Sequence, residues 1–154
     1  MSEQSLPTTA RAWHLQARPP GRPVPSDFAL REVALPAPGP GQLLVTNEYL
    51  SVDPYMRGRM SDKKSYIEPY EFGKPMDGPA VGRVLASNAE RFAPGDHVVH
   101  VLGWRDHAVL DAAAAQKADP DLAPLSAYLG VLGVPGLTAY VGLKRFAEIE
   151  EATR

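Results

Sequence analysis

Proline and glycine punctuate this chain too densely for long regular elements. Together the 16 Pro and 13 Gly make about a fifth of the 154 residues, above the ordinary share. Each proline removes a backbone donor and fixes φ, so the chain has room for short strands and tight turns rather than long helices. Arg18 to Pro25 carries prolines at 19, 20, 23 and 25 and cannot be regular. Pro36-Ala37-Pro38-Gly39-Pro40-Gly41 and Phe92-Ala93-Pro94-Gly95-Asp96 read as hard turns. Between these breaks β-prone runs recur at Ala12 to Leu15, Phe28 to Leu35, Gln42 to Leu50, Pro79 to Ser87, His97 to Leu102 and His107 to Leu110. Five or six such strands predict a mainly β fold, a small barrel or sandwich, preceded by a disordered lead over residues 1–10.

Two segments depart from this rhythm. Residues 57–76 have no period and are rich in Lys, Ser, Tyr, Pro and Gly, the composition of a functional or disordered loop. Leu122 to Leu143 is almost uncharged but is interrupted by Pro124, Pro135 and three glycines. A membrane span is not expected there; two short helices broken near Gly133-Val134-Pro135 are, with Pro135 opening the second. Both are apolar over much of their circumference and need cover on more than one side. A barrel can supply only one.

Composition excludes several classes. The length suits one domain with its own core. A net charge of −2 with mixed signs gives no footprint for nucleic acid or a membrane surface. Without cysteine there is no disulfide, thiolate zinc site or cysteine nucleophile. Met1 to Ala10 lacks the pattern of a secretory signal, and the expected compartment is the cytoplasm. His14, His97, His100 and His107 show no metal-ligand spacing. Neither a Gly-x-Ser-x-Gly elbow, a Walker loop nor a Gly-x-Gly-x-x-Gly turn is present.

One stretch has the vocabulary of a site. The strand ending at Leu50 must stop at Asp53-Pro54, because Pro54 has no N–H for a ladder and biases Asp53 toward an extended conformation. Tyr55, Met56, Arg57 and Arg59 follow at once. These are either the lip of a pocket or a chain corner whose Tyr55 and Met56 plug the core, since pockets and cores share their apolar residues. Tyr66 and Tyr70 flank the irregular loop, and tyrosine hydroxyls can donate to a carbonyl or act as general acids.

The order of motifs goes further. Ser51-Val52-Asp53-Pro54-Tyr55-Met56-Arg57-Gly58-Arg59-Met60, with Arg18-Pro19-Pro20-Gly21, Pro40-Gly41-Gln42, Ser61-Asp62-Lys63-Lys64-Ser65-Tyr66, Pro94-Gly95-Asp96 and Leu132 to Tyr140, resembles the zinc-independent medium-chain dehydrogenase/reductases. The branch is that of prostaglandin reductases, alkenal double-bond reductases and curcumin reductases. The resemblance implies a GroES-like β-barrel over 11–121, the substrate domain. Residues 122–154 would hold interdomain helices and the truncated start of a cofactor domain. It further implies NADPH as cofactor, an α,β-unsaturated aldehyde or ketone as substrate, and reduction of its carbon–carbon double bond.

Carried over by position, Pro54 and Tyr55 would meet the nicotinamide end, and Val134 and Thr138 would touch the cofactor from the interdomain helices. Tyr55, Met56 and Tyr66 would line the substrate pocket. No residue is assigned as the catalytic acid. Relatives often carry Met at position 134 and an aromatic at position 107. Zinc-dependent cousins carry Cys and a Gly-His-Glu motif where this chain has no Cys and reads Met76-Asp77-Gly78, which predicts a metal-free site. Family members continue past Glu151 into a Rossmann domain that holds the pyrophosphate. The expectation is therefore half of an active site, inactive alone and completed by a Rossmann half, possibly from another chain. The rival expectation is a non-catalytic barrel that self-associates through 122–143.

Overall fold

The computed structural model describes residues 5–147, which carry seven strands: β1 (Thr9–Leu15), β2 (Phe28–Ala34), β3 (Gln42–Leu50), β4 (Ala80–Ser87), β5 (His97–His100), β6 (His107–Asp111) and β7 (Gln116–Ala118). They form two antiparallel sheets, β1-β2 and β6-β3-β4-β5-β7. The fold is mainly β, as expected. Strand β3 is central. Leu43, Leu44 and Val45 are consecutive and all buried, so both faces of the strand are covered. Leu43, Val45, Val84, Phe92, Val98 and Leu110 make one core. In β4, Gly82 lets β3 come close: a Cβ there would strike the Thr46 carbonyl and lie 2.6 Å from Val45 Cγ1. The sheets meet along β1, where the Trp13 N–H donates to the Trp104 carbonyl (2.8 Å) and the Trp13 carbonyl accepts from the Met76 N–H (2.7 Å).

Several boundaries differ from expectation. β1 starts at Thr9, inside the stretch expected to be disordered, because Thr9 and Ala10 pair with Ala34 and Val33 and Ala10 is buried. Residues 1–4 of that lead lie outside the described residues. β5 ends at His100 rather than Leu102, since the Leu102 N–H donates to His100 Nδ1 (3.1 Å) instead of continuing the ladder. β7 was not expected; its three residues pair only with β5. The chain does not run irregularly from residue 57. After the break at Pro54 it forms a helix, α1 (Pro54–Arg59), and loses regularity only at Met60.

The apolar segment divides as its prolines require. Leu125–Leu129 is a 3-10 stretch lying against β3 and β4. Helix α2 (Val134–Val141) follows, with Pro135 in its first turn, and runs into a π-type turn at Gly142–Phe146. The sheet covers the first piece and leaves the second bare: Leu122, Val131, Val134, Leu137, Tyr140 and Phe146 are 62–83% exposed. Residues 148–154, placed with the start of a cofactor domain, lie outside the described residues. Among the described residues no helix is long and apolar enough to cross a membrane.

Candidate functional site

A cleft of about 960 Å³ opens between the end of β3 and the segment leading into α2. Its near wall is Ser51, Asp53, Pro54, Tyr55 and Pro79; its far wall is Leu132, Gly133, Val134, Pro135, Leu137 and Thr138. Val99, Gln116, Lys117, Tyr128 and Leu129 also line it. Four residues about eighty positions apart thus share one cavity: Pro54 and Tyr55 on one side, Val134 and Thr138 on the other.

Local chemistry builds the near wall. The Ser51 N–H donates to the Pro79 carbonyl (2.9 Å) and Ser51 Oγ donates to Asp53 Oδ1 (2.8 Å), which fixes the chain as it leaves β3. Pro54 then opens α1, where its missing donor costs nothing. The helix sends successive side chains in different directions. Tyr55 is half-buried, lines the cleft and packs at the edge of a second core made of Leu15, Met56, Met60, Tyr70 and Met76. Met56 lies inside that core, 2% exposed, and is not among the cleft residues. Its Sδ accepts from the Asp53 N–H at 3.5 Å. The thioether therefore occupies the position of a core plug. Tyr66 stands on the irregular loop, 86% exposed and away from the cleft. His107, in β6, pairs with Thr46 and is likewise not a wall of the cleft.

Two groups behind Tyr55 lie outside the expected set. Arg59 is 9% exposed, forms a two-pronged ion pair with Asp77 (Nη2–Oδ2 3.2 Å) and donates from Nε to the Glu68 carbonyl (2.8 Å). Its guanidinium lies 4.0 Å from the centre of the Tyr70 ring. The Tyr70 hydroxyl donates to the Asp77 carbonyl (2.9 Å), and burial pushes this phenol up to about 12. Burial first, and then the Asp53 carboxylate, hold the Tyr55 phenol above its usual range, while Arg59 acts in the opposite direction. Tyr55 thus remains a neutral hydrogen-bond donor at neutral pH. Arg59 is four residues after Tyr55, so reading a helix from Pro54 would have put the two on one face.

These residues fit the nicotinamide end of a dinucleotide. The lining is largely apolar, with an aromatic ring, two prolines and the Thr138 hydroxyl, the mixture that suits a flat, partly polar ring. They do not fit its pyrophosphate, because the 154 residues hold no glycine-rich turn after a strand. Among the described residues no three metal-ligating side chains converge.

Comparison with known proteins agrees with this geometry. The pattern of a family described as the N-terminal domain of oxidoreductase matches residues 11–118. A putative NADP-dependent oxidoreductase of Bacillus subtilis is 46% identical over 84% of this chain and 38% of its own length. The NADPH-dependent curcumin reductase of Escherichia coli is 44% identical over 92% and 41%. The crystal structure of CurA from Vibrio vulnificus superposes with a TM-score of 0.84 at 40% identity, covering 93% of this chain and 42% of that one. CurA has also been solved in complex with NADPH. The chain thus spans about 40% of the length of the curated relatives it matches. On fold, motif order and sequence identity, the chain belongs to the N-terminal oxidoreductase domains of the zinc-independent medium-chain reductases, in the branch of curcumin, prostaglandin and alkenal reductases.

Proposed function

We propose that this chain is the substrate-side part of an NADPH-dependent reductase acting on the carbon–carbon double bond of α,β-unsaturated aldehydes and ketones, and that it does not turn over alone. One observation carries the reading. Pro54 and Tyr55, from the end of β3, and Val134 and Thr138, from α2, line a single cleft next to an apolar face with no cover among the described residues. When bound, NADPH supplies the hydride to the β-carbon. The chain's own part is to seat the nicotinamide end between Pro54 and Val134, and to donate the Tyr55 O–H toward the substrate oxygen as it gains negative charge. Thr138 offers a hydroxyl to the nicotinamide amide. The pyrophosphate contacts and the protonation of the α-carbon belong to a Rossmann half. The compartment that goes with this reading is the cytoplasm.

The test uses absorbance of NADPH in the presence of an alkenal or curcumin. The pure 154-residue chain leaves the absorbance unchanged, and the same chain joined to the Rossmann half of a curcumin reductase lowers it. Turnover by the chain alone overturns the half-site reading; no turnover by the joined protein overturns the reductase reading. The exposed apolar face of α2 also favours a second reading, a barrel without catalysis that assembles with copies of itself through 122–143. Light scattering separates the two, because a monomer at all concentrations contradicts self-assembly.

A further inference from the structure

Arg59 is the one buried cation beneath the cleft wall, and filling its place with an apolar side chain would avoid the cost of desolvating a guanidinium. Three parts of the chain converge to hold it instead. Asp77, just before β4, takes both prongs of the fork; the Glu68 carbonyl takes Nε; and the Tyr70 ring lies beneath the guanidinium plane. The Arg59 carbonyl in turn accepts from the Tyr70 N–H at 2.7 Å, so the group is tied from both sides. Tyr55, one helical turn earlier on α1, lies next to this cation and faces the cleft.

We propose that Arg59, locked by Asp77, is a positioning residue for Tyr55: it holds the phenol at the cleft and polarises its O–H toward the substrate's carbonyl oxygen. The proposal rests on the reductase reading above. The physical reason is the direction of charge. As hydride arrives at the β-carbon, electron density moves to the carbonyl oxygen, and a fixed O–H donor stabilises that state more than the ground state. A guanidinium behind the phenol favours density on the phenol oxygen, which strengthens the hydrogen bond that the O–H donates. The proton stays on Tyr55 throughout, so no bond to it is broken. The ionisable groups around the phenol are Asp53 and Arg59 from the ends of α1, Tyr70 from the loop and Asp77 from the segment before β4. Of these only Arg59 is a cation, so its removal has a sign of its own.

Carbon-13 NMR of the 154-residue chain labelled at tyrosine Cζ reads this directly. In Arg59→Met the Tyr55 midpoint moves to higher pH, and in Arg59→Lys it returns part of the way. An unchanged midpoint in a variant whose amide spectrum remains that of the folded chain overturns the proposal. Should Arg59→Met fail to fold, Arg59→Gln, which keeps a donor for the Glu68 carbonyl, takes its place. In the chain joined to a Rossmann half, Arg59→Met lowers kcat roughly tenfold and leaves KM for NADPH unchanged. In a Tyr55→Phe background the same substitution has little further effect. Equal losses in both backgrounds mean that Arg59 only supports the fold, and overturn its assigned role. Absence of turnover in every form counts against the reductase reading, and the NMR result still decides whether Arg59 controls Tyr55.

Discussion

At Gly82 the two central strands come closer than any side chain permits. Adding a methyl group drives it into the Thr46 carbonyl and the Val45 side chain, and neither is the free end of a flexible chain. Gly82→Ala is expected to cost about 1–3 kcal/mol, read as a lower urea midpoint; an unchanged midpoint would mean that β3 and β4 separate freely. His100 makes a pH-dependent contribution. It is 3% exposed; burial, and then the Arg105 charge, hold its pKa down at about 4 against an ordinary 6.5. Between those values the unfolded chain binds more protons than the folded one, so stability rises with pH. The contribution is complete above pH 6.5 and is lost as pH falls toward 4, about 3 kcal/mol in all. His100→Gln should flatten the stability curve over that window; an unaltered slope in thermal melts would refute the assignment. Single residues were also where the sequence was most ambiguous. Tyr55 and Met56 are adjacent and of similar apolar type, and only the turn of about 100° per residue in α1 sends one to the cleft and the other to the core.

The same ambiguity reappears among the elements. β3, β4 and the turn at Gly95 were legible because apolar, β-branched runs stand between strong turn signals. Helix α1 was not, because Pro54 ends a strand and begins a helix by the same property, the lack of an N–H. β7 was missed because Gln116-Lys117-Ala118 is too short to show a period and owes its strand form to pairing with β5. α2 was legible as a helix, and its need for cover was legible too. Within the described residues α2 packs mainly on the π-type turn that follows it, and a helix of eight residues is marginal in water without tertiary contacts. Its amides should therefore exchange with deuterium orders of magnitude faster than those of β3 and β4 in the isolated chain. Joining a Rossmann half should slow them. Equal protection of α2 and β3 in the chain alone would show that the helix is already covered.

For the molecule as a whole, the core and the site have different boundaries. The cores enclose Leu43, Val45 and Val84 on one side and Leu15, Met56 and Met76 on the other. The cleft lies beyond them, with one wall rooted in the barrel and the other on an exposed helix. Stability and function should then respond to different substitutions. Leu44→Ala, in the middle of β3 and 1% exposed, is expected to cost about 2–5 kcal/mol and to lower the melting temperature accordingly. Leu137→Lys, on the cleft-facing part of α2 and 62% exposed, should change stability by no more than about 0.5 kcal/mol. In the joined protein the order should reverse for NADPH, with Leu137→Lys raising its KM because an ammonium replaces apolar surface in the far wall. A large loss of stability from Leu137→Lys in the isolated chain would mean that α2 belongs to the barrel's core. Only if α2 is instead an outlying wall does the missing cover have to come from the half that carries the cofactor.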